Sequence, residues 1–328
     1  MAAIAAAAVL QVGVLPTRAS SEGAARRVFR VGFLAGGSGD GPSGPRVQSF
    51  REGLRDLGYS EGQNLEVVAR FAGGRAELTR ALAVELVALN PDVIVADTAL
   101  PVTAVKAFTR TIPIVMVAVS DPVETGFIES VARPGSNITG LAINTLEIAA
   151  KQVQLLKELA PGVTRIALLW NTSNPVTRRA LERAVNASSE LGVEIVSFPV
   201  AKPEDFDGQI FGPTAVARVD AVVVVADPMS FTFRRKIADA AVTYKLPSMF
   251  TFREEASDGG LAAYGTDLAT AFRRSARYVD QILKGSDPAT LPVEYPTRYN
   301  LVLNAKTARA LRLTIPPTLL ARADEVIE

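Results

Sequence analysis

Short apolar runs alternate with longer amphipathic segments along the chain, from Val28 almost to its end. Runs such as IPIVMVAV and AVVVVA contain no polar alternation, which is typical of strands that helices cover on both faces. The segments between the runs have the spacing of amphipathic helices. This alternation predicts repeated strand–helix units and therefore parallel sheets.

The apolar runs predict strands in both halves of the chain. They are Val28–Ala35, Leu65–Phe71, Val93–Ala96, Ile114–Val119 and Ile138–Ala142, then Arg165–Trp170, Glu194–Phe198, Ala221–Ala226, Pro247–Phe250, Leu261–Tyr264 and Tyr299–Leu303. Helices are predicted between them, near Val47, Ala76, Leu100, Glu147, Asn174, Pro203 and Ser230, with a short one near Glu124 and a long one over Asp267–Leu283.

A chain of 328 residues is long enough for two domains, because single hydrophobic cores stop growing at roughly 250–300 residues. We expect two Rossmann-like lobes, each a parallel sheet flanked by helices. The first lobe is predicted to comprise residues 28–141 and 265–287, and the second residues 142–264 and 288–328. No Gly/Ser-rich linker separates them, which favours a short, ordered hinge near Leu141–Thr145.

The composition excludes several kinds of chemistry. The chain contains no Cys and no His, which excludes disulfides, thiolate nucleophiles, imidazole acid–base catalysis and almost every zinc site. Its formal net charge of +1 gives no reason to expect a nucleic-acid partner. We expect no metal and no cofactor, and an enzyme built from this sequence would depend on carboxylates, Lys or Tyr.

The segment Met1–Leu15 is apolar and too short to span a bilayer, which predicts a signal peptide and leader over residues 1–27. A helical N-terminal extension is the alternative interpretation. No Cys follows the apolar run, so we expect no lipid anchor. The mature chain is expected to be exported and soluble.

Small polar residues and prolines follow the predicted strands. In open α/β sheets, ligands bind outside the carboxyl ends of the strands, where helix N-termini present amides. The loops there run over residues 36–44, 97–101, 120–124, 171–175 and 227–230, and the hinge adds two more positions. Together they predict these ligand-binding residues: Gly37, Ser38, Asp97, Thr98, Ala99, Ser120, Asp121, Pro122, Asn144, Thr145, Asn171, Asn174, Pro175 and Asp227. Phe252 and Glu254, which follow the predicted strand Pro247–Phe250, are two further predicted ligand-binding residues.

Each of these residues also has a purely structural interpretation, because Ser, Thr, Asn and Asp are the usual helix caps. Asp227 can accept a charge-assisted bond from a ligand ammonium or cap the helix that follows it. Asp97 and Asp121 have the same two interpretations. Phe252 can stack on a flat ligand or belong to the core, and Glu254 can line the cleft mouth or face water.

The first loop contains Gly39-x-Gly41-x-x-Gly44, the spacing of a dinucleotide-binding fingerprint. Pro42 removes an amide donor from it, and the second strand ends in Arg70 and Phe71 rather than an acidic residue. We interpret the glycines as part of a cleft loop. An enzyme that uses carboxylates or a nucleotide cofactor remains the alternative function. A ligand-sensing regulator would carry a helix-turn-helix before Val28, where the sequence shows none.

Several longer phrases resemble one protein family. They include FREGLRDLGYSEGQNLEV, TIPIVMVAVSDPVETGFIESVARPGSNITGL, KQVQLLKELAPGVTRIALLWN and YVDQILKGSDPATLPVE. They resemble the periplasmic substrate-binding proteins of ABC transporters of the tryptophan/tyrosine-binding type, which have the type I periplasmic-binding fold.

The resemblance implies a ligand held between the lobes by the same loops. It also implies an amino acid, preferably aromatic or branched and apolar, that the protein hands to an ABC permease in the membrane. We therefore expect a monomeric periplasmic binding protein rather than an enzyme.

Overall fold

The predicted strands form two separate sheets in the computed structural model, which describes residues 27–37, 41–206, 211–212 and 218–328. The first sheet contains β1 (Phe29–Ala35), β2 (Leu65–Phe71), β3 (Val93–Asp97), β4 (Ile114–Ser120) and β5 (Ile138–Ile143). The second contains β6 (Arg165–Asn171), β7 (Glu194–Val200), β8 (Ala221–Val224), β9 (Ser248–Phe250), β10 (Ala262–Gly265), β11 (Asn300–Asn304) and β12 (Glu325–Ile327).

The two sheets share one strand order. The first runs β2-β1-β3-β4-β5, and the second begins with the corresponding order β7-β6-β8-β9-β10 before β11 and β12 extend it. All pairs are parallel except β10 with β11. This antiparallel pair departs from the prediction of purely parallel lobes. It arises because the chain re-enters the second sheet where β10 ends, with Asn300 opposite Gly265.

Helices flank both sheets. They are α1 (Pro45–Asp56), α2 (Ala76–Ala88), α3 (Ala99–Lys106), α4 (Thr145–Leu159), α5 (Pro175–Ser188), α6 (Pro228–Thr232), α7 (Arg234–Thr243), α8 (Arg253–Ser257), α9 (Leu268–Leu283), α10 (Ala305–Ala310) and α11 (Pro317–Leu320). Short 3-10 turns lie at Gly41–Ser43, Ser189–Leu191, Pro203–Phe206 and Pro288–Thr290.

Three helix predictions need correction. The helix expected near Glu124 is a series of turns that ends at Gly126, because the left-handed φ of 69° at this glycine stops any helix there. The helix expected near Pro203 is a single 3-10 turn. The helix expected near Ser230 is two helices, α6 and α7, separated at Phe233.

Buried apolar side chains cover both faces of each sheet. In the first lobe, Phe33, Phe50 and Phe272 pack together on one face. Phe272 lies on α9, which follows a strand of the second sheet but packs on α1 of the first lobe. The two helices approach so closely at Gly53 that an added Cβ would lie 2.3 Å from the Arg273 backbone oxygen.

The chain passes between the sheets after β5, after β10 and before β11. The last passage follows the edge of β5, where the Ala142 amide donates to Glu294 O at 2.8 Å and the Glu294 amide donates to Gly140 O at 3.0 Å. The first two passages fall close to the boundaries expected at residues 141 and 265, and the residue-level division into lobes stays a prediction. Within the described ranges, no helix has the length and apolar character needed to cross a membrane.

Candidate functional site

The carboxyl ends of the strands in the two sheets face each other across a narrow cleft. The cleft encloses a cavity of about 40 Å³, which is room for a few water molecules. Its walls come from both lobes: Arg46, Asp97, Thr98, Ala99, Ala118, Ser120, Ile143, Thr145, Asn174, Val176, Ala226, Asp227, Pro228, Phe231, Phe252, Leu268 and Phe272.

The lobes are in contact around this cavity. A Cβ added to Gly36 would lie 3.1 Å from the Pro228 ring of the other lobe. At the mouth of the cleft, Arg179 Nη1 lies 2.5 Å from Glu124 Oε1, and this ion pair joins α5 to the loop after β4. The structure is therefore a closed form of the two lobes.

A buried carboxylate forms the centre of the first-lobe wall. Asp97 ends β3 and is 1% exposed. Its Oδ1 accepts a hydrogen bond from the Gly36 amide at 2.6 Å, and its Oδ2 accepts one from Arg46 Nη1 at 2.9 Å. Burial raises the pKa of Asp97, and the Arg46 charge and the Gly36 amide oppose that rise.

Arg46 reaches across the cleft from the first turn of α1. Its guanidinium carbon lies 3.9 Å from the centre of the Phe231 ring, which belongs to α6 of the second lobe. Phe272 lies on another side at 6.0 Å. The side chain is buried, yet its Nε finds no hydrogen-bond partner among the described residues.

A second buried carboxylate, Asp227, forms the opposite wall. Its Oδ1 accepts from Asn171 Nδ2 at 3.1 Å and from the Met229 amide at 2.8 Å, and its Oδ2 accepts from Asn174 Nδ2 at 2.9 Å. Asp227 is therefore the N-cap of α6. Burial raises the pKa of Asp227, and the two side-chain amides and the helix amides oppose it.

The two carboxylates occupy equivalent positions in the two lobes. Each lies at the carboxyl end of the third strand of its lobe and accepts hydrogen bonds from groups at the carboxyl end of the first strand. This is the point where the strand order reverses, at which open α/β sheets bind ligands. The lobes differ in that Asp97 has a cationic partner, whereas the hydrogen bonds to Asp227 come from neutral amides.

Strained backbone marks the strand ends of the first lobe. Thr98, Ala118 and Asp121 have φ values of 60°, 55° and 46°, which are rare for residues with a side chain. Ala118 lies at a bulge in β4, where the pairing with β5 shifts between Met116 and Val119. Such strain clusters at binding and catalytic sites, where the surrounding structure holds it in place.

Hydroxyl and aromatic groups complete the cavity wall. The Ser120 and Thr145 hydroxyls are hydrogen-bonded to each other and connect the end of β4 to the start of α4. Phe252 packs edge to face against Phe231 at 5.9 Å between ring centres. The cleft therefore offers hydroxyl groups beside an aromatic surface.

The structure brings half of the predicted site residues to the cavity. Asp97, Thr98, Ala99, Ser120, Thr145, Asn174, Asp227 and Phe252 line it. Asn171 touches the site through its bond to Asp227, and Gly37 lies close to Pro228 and Thr232 of the second lobe. Ser38 lies outside the described residues.

The other five predicted residues do not line the cavity. Asp121 and Pro122 belong to the turns after β4, Asn144 precedes α4, and Pro175 is exposed at the start of α5. Glu254 lies on α8, and its buried Oε2 finds no partner in the described part of the chain. Their assignment as ligand-binding residues stays a prediction.

The predicted ligand-binding residues did not include Arg46, Phe231, Phe272 or Leu268, all of which line the cavity. A signal for Arg46 was present, because the helix dipole disfavours a cation in the first turn of a helix. An arginine directly after Pro45 therefore suggested a function other than helix formation. Phe272 and Leu268 gave no such signal, because their approach to the cavity depends on the return of α9 to the first lobe.

A larger cavity of about 420 Å³ lies on the other side of the hinge. It shares Ala118 and Ile143 with the cleft and is otherwise lined by the passages between the lobes, including Thr266, Arg274 and Tyr295. Its walls come mainly from β5, from the start of α9 and from the segment before β11, whereas the cleft lies where the carboxyl ends of the strands in the two sheets face each other. We therefore take the cleft as the candidate functional site.

The glycine motif of the first loop has no open phosphate cradle in its described part. Residues 41–43 form a 3-10 turn, and the Gly44 amide donates to Gly41 O at 3.0 Å. Gly39 lies outside the described residues. Among the residues that the structure places, no group of three or more acidic side chains is arranged to hold a metal ion.

Comparison with known proteins identifies the family. The model of the ABC transporter substrate binding protein family matches residues 40–327. The chain belongs to the ABC transporter substrate-binding protein family. A curated tyrosine-binding protein of Clostridioides difficile is 25% identical over 264 residues, which are 80% of this chain and 75% of that protein.

Two solved structures share the fold of this substrate-binding protein. A conserved domain protein from Vibrio cholerae is 28% identical, with a TM-score of 0.85 over 92% of this chain and 100% of that chain. An ABC domain from Streptococcus pneumoniae in complex with L-Trp is 24% identical, with a TM-score of 0.84 over the same shares. The substrate-binding protein therefore has the two-lobed α/β fold expected from its sequence.

Proposed function

We propose that this substrate-binding protein encloses an α-amino acid, preferably aromatic or branched and apolar, between its lobes and delivers it unchanged to an ABC permease. The observation that carries the proposal is the pairing of a buried carboxylate, Asp227, with an aromatic surface in one closed cleft. The first group suits a ligand ammonium, and the second suits an apolar side chain.

Asp227 supports an ammonium ligand through its charge and its partners. The three groups that donate hydrogen bonds to it are neutral amides, so none of them neutralises the negative charge of the ionised carboxylate. A ligand ammonium beside it would supply that charge with a partner, and such bonds are about twice as strong as neutral ones.

Phe231, Phe252 and Phe272 support an apolar ligand side chain. Their rings face the cavity from both lobes, so a ligand between them would contact aromatic carbon on more than one side. An aromatic pair contributes about 0.5–1.5 kcal/mol beyond simple burial. The similarity to a tyrosine-binding protein supports the same ligand class.

Binding in this cleft requires the lobes to part. The closed cavity of about 40 Å³ is far smaller than the roughly 300–1,000 Å³ of typical ligand pockets. An open form must therefore admit the ligand, and contacts from both walls then favour closure. The predicted residues Ser120, Thr145 and Asn174 are placed to make such contacts.

A thermal-shift screen of the twenty amino acids, followed by calorimetry, tests the proposed ligand class. We expect Asp227→Asn to weaken binding at least about 10-fold, because a charge-assisted bond is replaced by a neutral one. Asp220→Asn, at the opposite end of β8, is the matched control. If no amino acid raises the melting temperature, the proposal is wrong.

Delivery to a permease implies export to the periplasm and action as a monomer that leaves the ligand chemically intact. Cell fractionation, light scattering and mass spectrometry of the released ligand measure these properties separately. A protein that stays in the cytoplasm, or a ligand recovered in altered form, would contradict this part of the proposal.

A further inference from the structure

We propose that Arg46 and Thr98 form a carboxylate subsite in the first-lobe wall, so that the protein accepts only ligands with a free carboxylate. This inference rests on the proposed binding of an α-amino acid in the cleft. It assigns the cleft a direction: the ligand carboxylate faces the first lobe and the ligand ammonium faces Asp227 in the second.

The guanidinium of Arg46 has a hydrogen-bond donor, Nε, that is not engaged by the described residues. Its Nη1 donates to Asp97, but its Nε is buried without a partner among the described residues. The side chain is 7% exposed and lines the cavity. Because a buried donor without an acceptor destabilises the protein, an Nε in this position suits an acceptor that arrives with the ligand.

Thr98 supplies a second polar group without a hydrogen-bond partner beside the same cavity. Its hydroxyl Oγ1 is buried and has no partner within the described ranges. Its backbone φ of 60° is maintained as the chain turns from β3 into α3, whose first turn begins at Ala99 and also lines the cavity. A carboxylate there would accept from the Arg46 Nε and the Thr98 hydroxyl and would lie at the positive end of the α3 dipole.

The charges of the two walls match a zwitterion. Arg46 and Asp97 form an ion pair and together add no net charge to the first-lobe wall. Asp227 adds a negative charge to the second-lobe wall. A ligand with both a carboxylate and an ammonium can satisfy Arg46 and Asp227 at once, whereas an amine can satisfy only Asp227.

Closure completes the subsite. The Arg46 guanidinium carbon lies over the Phe231 ring of the second lobe, 3.9 Å from the ring centre, so the position of the cation depends on both lobes. Phe231 also contacts the buried Arg234 guanidinium at 4.5 Å, which fixes the ring within its own lobe. The planar guanidinium can stack through its face while it donates through its edge, which a lysine cannot do.

Titration calorimetry with matched ligands tests the subsite. The probes are L-tyrosine with L-tyrosinamide and tyramine, and L-leucine with L-leucinamide and 3-methylbutylamine. We expect wild-type protein to bind the acid at least about 100-fold more tightly than its amide or amine. Arg46→Met should weaken the acid about 10- to 100-fold and change the amine less than about 3-fold, because the amine cannot use the lost donor.

Further variants separate recognition from folding. Arg46→Lys keeps a cation beside Asp97 but lacks the guanidinium edge, and we expect it to weaken the acid about 10-fold. The double variant R46M/D97N removes both buried charges together, so it tests the subsite without leaving an unpaired carboxylate. Arg55→Met, on the exposed end of α1, is the matched control and should change nothing.

The ratio of acid to amine affinity decides the question. A merely structural arginine would weaken all probes alike and leave the ratio unchanged, which would overturn the inference. Equal wild-type affinity for tyrosine and tyrosinamide would also overturn it while leaving the proposed amino-acid binding intact. If neither amino acid binds and the wider screen finds none, the proposed function fails and this inference fails with it.

Discussion

Glu255 should make the stability of the protein depend on pH near neutrality. Its carboxylate is 2% exposed and accepts hydrogen bonds from the Thr251 amide at 3.0 Å and the Phe252 amide at 2.7 Å. Burial raises the pKa of Glu255 to about 7, Glu254 adds to the rise, and the two amides and Arg234 oppose it. The same contacts hold Phe252 against the cleft.

The sign and size of the effect follow from the raised pKa. In the unfolded chain the pKa is close to 4.5, so between pH 4.5 and 7 the folded state binds more protons than the unfolded state. The contribution of Glu255 to stability is therefore complete below pH 4.5 and is lost as the pH rises through 7. The difference between a pKa of 4.5 in the unfolded chain and about 7 in the folded protein corresponds to roughly 3 kcal/mol.

Urea unfolding of wild type and Glu255→Gln from pH 4 to pH 8.5 measures this contribution. Glutamine keeps an oxygen for the two amides and does not titrate. We expect the free energy of unfolding of the variant to rise relative to wild type by about 2–3 kcal/mol across the range, mostly between pH 5 and 7. Asp97 and Asp227 titrate in both proteins and cancel in the difference. Parallel pH profiles would refute the reasoning.

Two further predictions concern packing and closure. Gly53→Ala should lower the free energy of unfolding by about 1–3 kcal/mol, because its Cβ would overlap the α9 backbone, whereas Gly162→Ala meets no atom within 4 Å and should change urea unfolding little. Glu124→Gln removes the ion pair with Arg179 and should lower the closed fraction by less than about 5-fold, an effect that high salt removes. Fluorescence energy transfer between dyes on cysteines introduced into the two lobes measures closure. Glu194→Gln is the control, because its ion pair with Arg165 lies within one lobe. A closed fraction of wild type that does not depend on salt would contradict the prediction for Glu124.

Most of the strands could be predicted because central parallel strands are continuous apolar runs. The bounds of β2 agree with the expected Leu65–Phe71, and all the other predicted strands end within two residues of the observed ones. β12 (Glu325–Ile327) was missed because three residues at a sheet edge, one of them charged, give no apolar run. The antiparallel pairing of β11 with β10 depends on the path that the chain takes through the first lobe before it returns. The local pattern of apolar residues in the sequence does not encode that path.

The site could be predicted only as far as strand ends reveal it. Asp97, Thr98, Ser120 and Asp227 follow apolar strands directly, so the strand-end rule found them. The rule also selected Pro175, which is the exposed first residue of α5 and follows the N-cap Asn174. A strand-end residue that lines the cavity differs from one that does not in the direction of its side chain. In the first lobe that direction depends on the bulge in β4 and on the left-handed residues at the strand ends rather than on residue type.

The orientation of a ligand in the cleft depends on one residue, Arg46, that the sequence pattern did not identify as part of the site. Two lobes with the same strand order place an aspartate at the same point, and on strand order alone the two walls would carry like charges. Arg46 breaks this equivalence, because it pairs with Asp97 while Asp227 is held by neutral amides. A symmetric pair of carboxylates would suit a ligand with two cationic ends. With Arg46 in the first wall, the cleft has one neutral and one anionic side, and a zwitterion that lies across it meets an unused donor at one end and a carboxylate at the other.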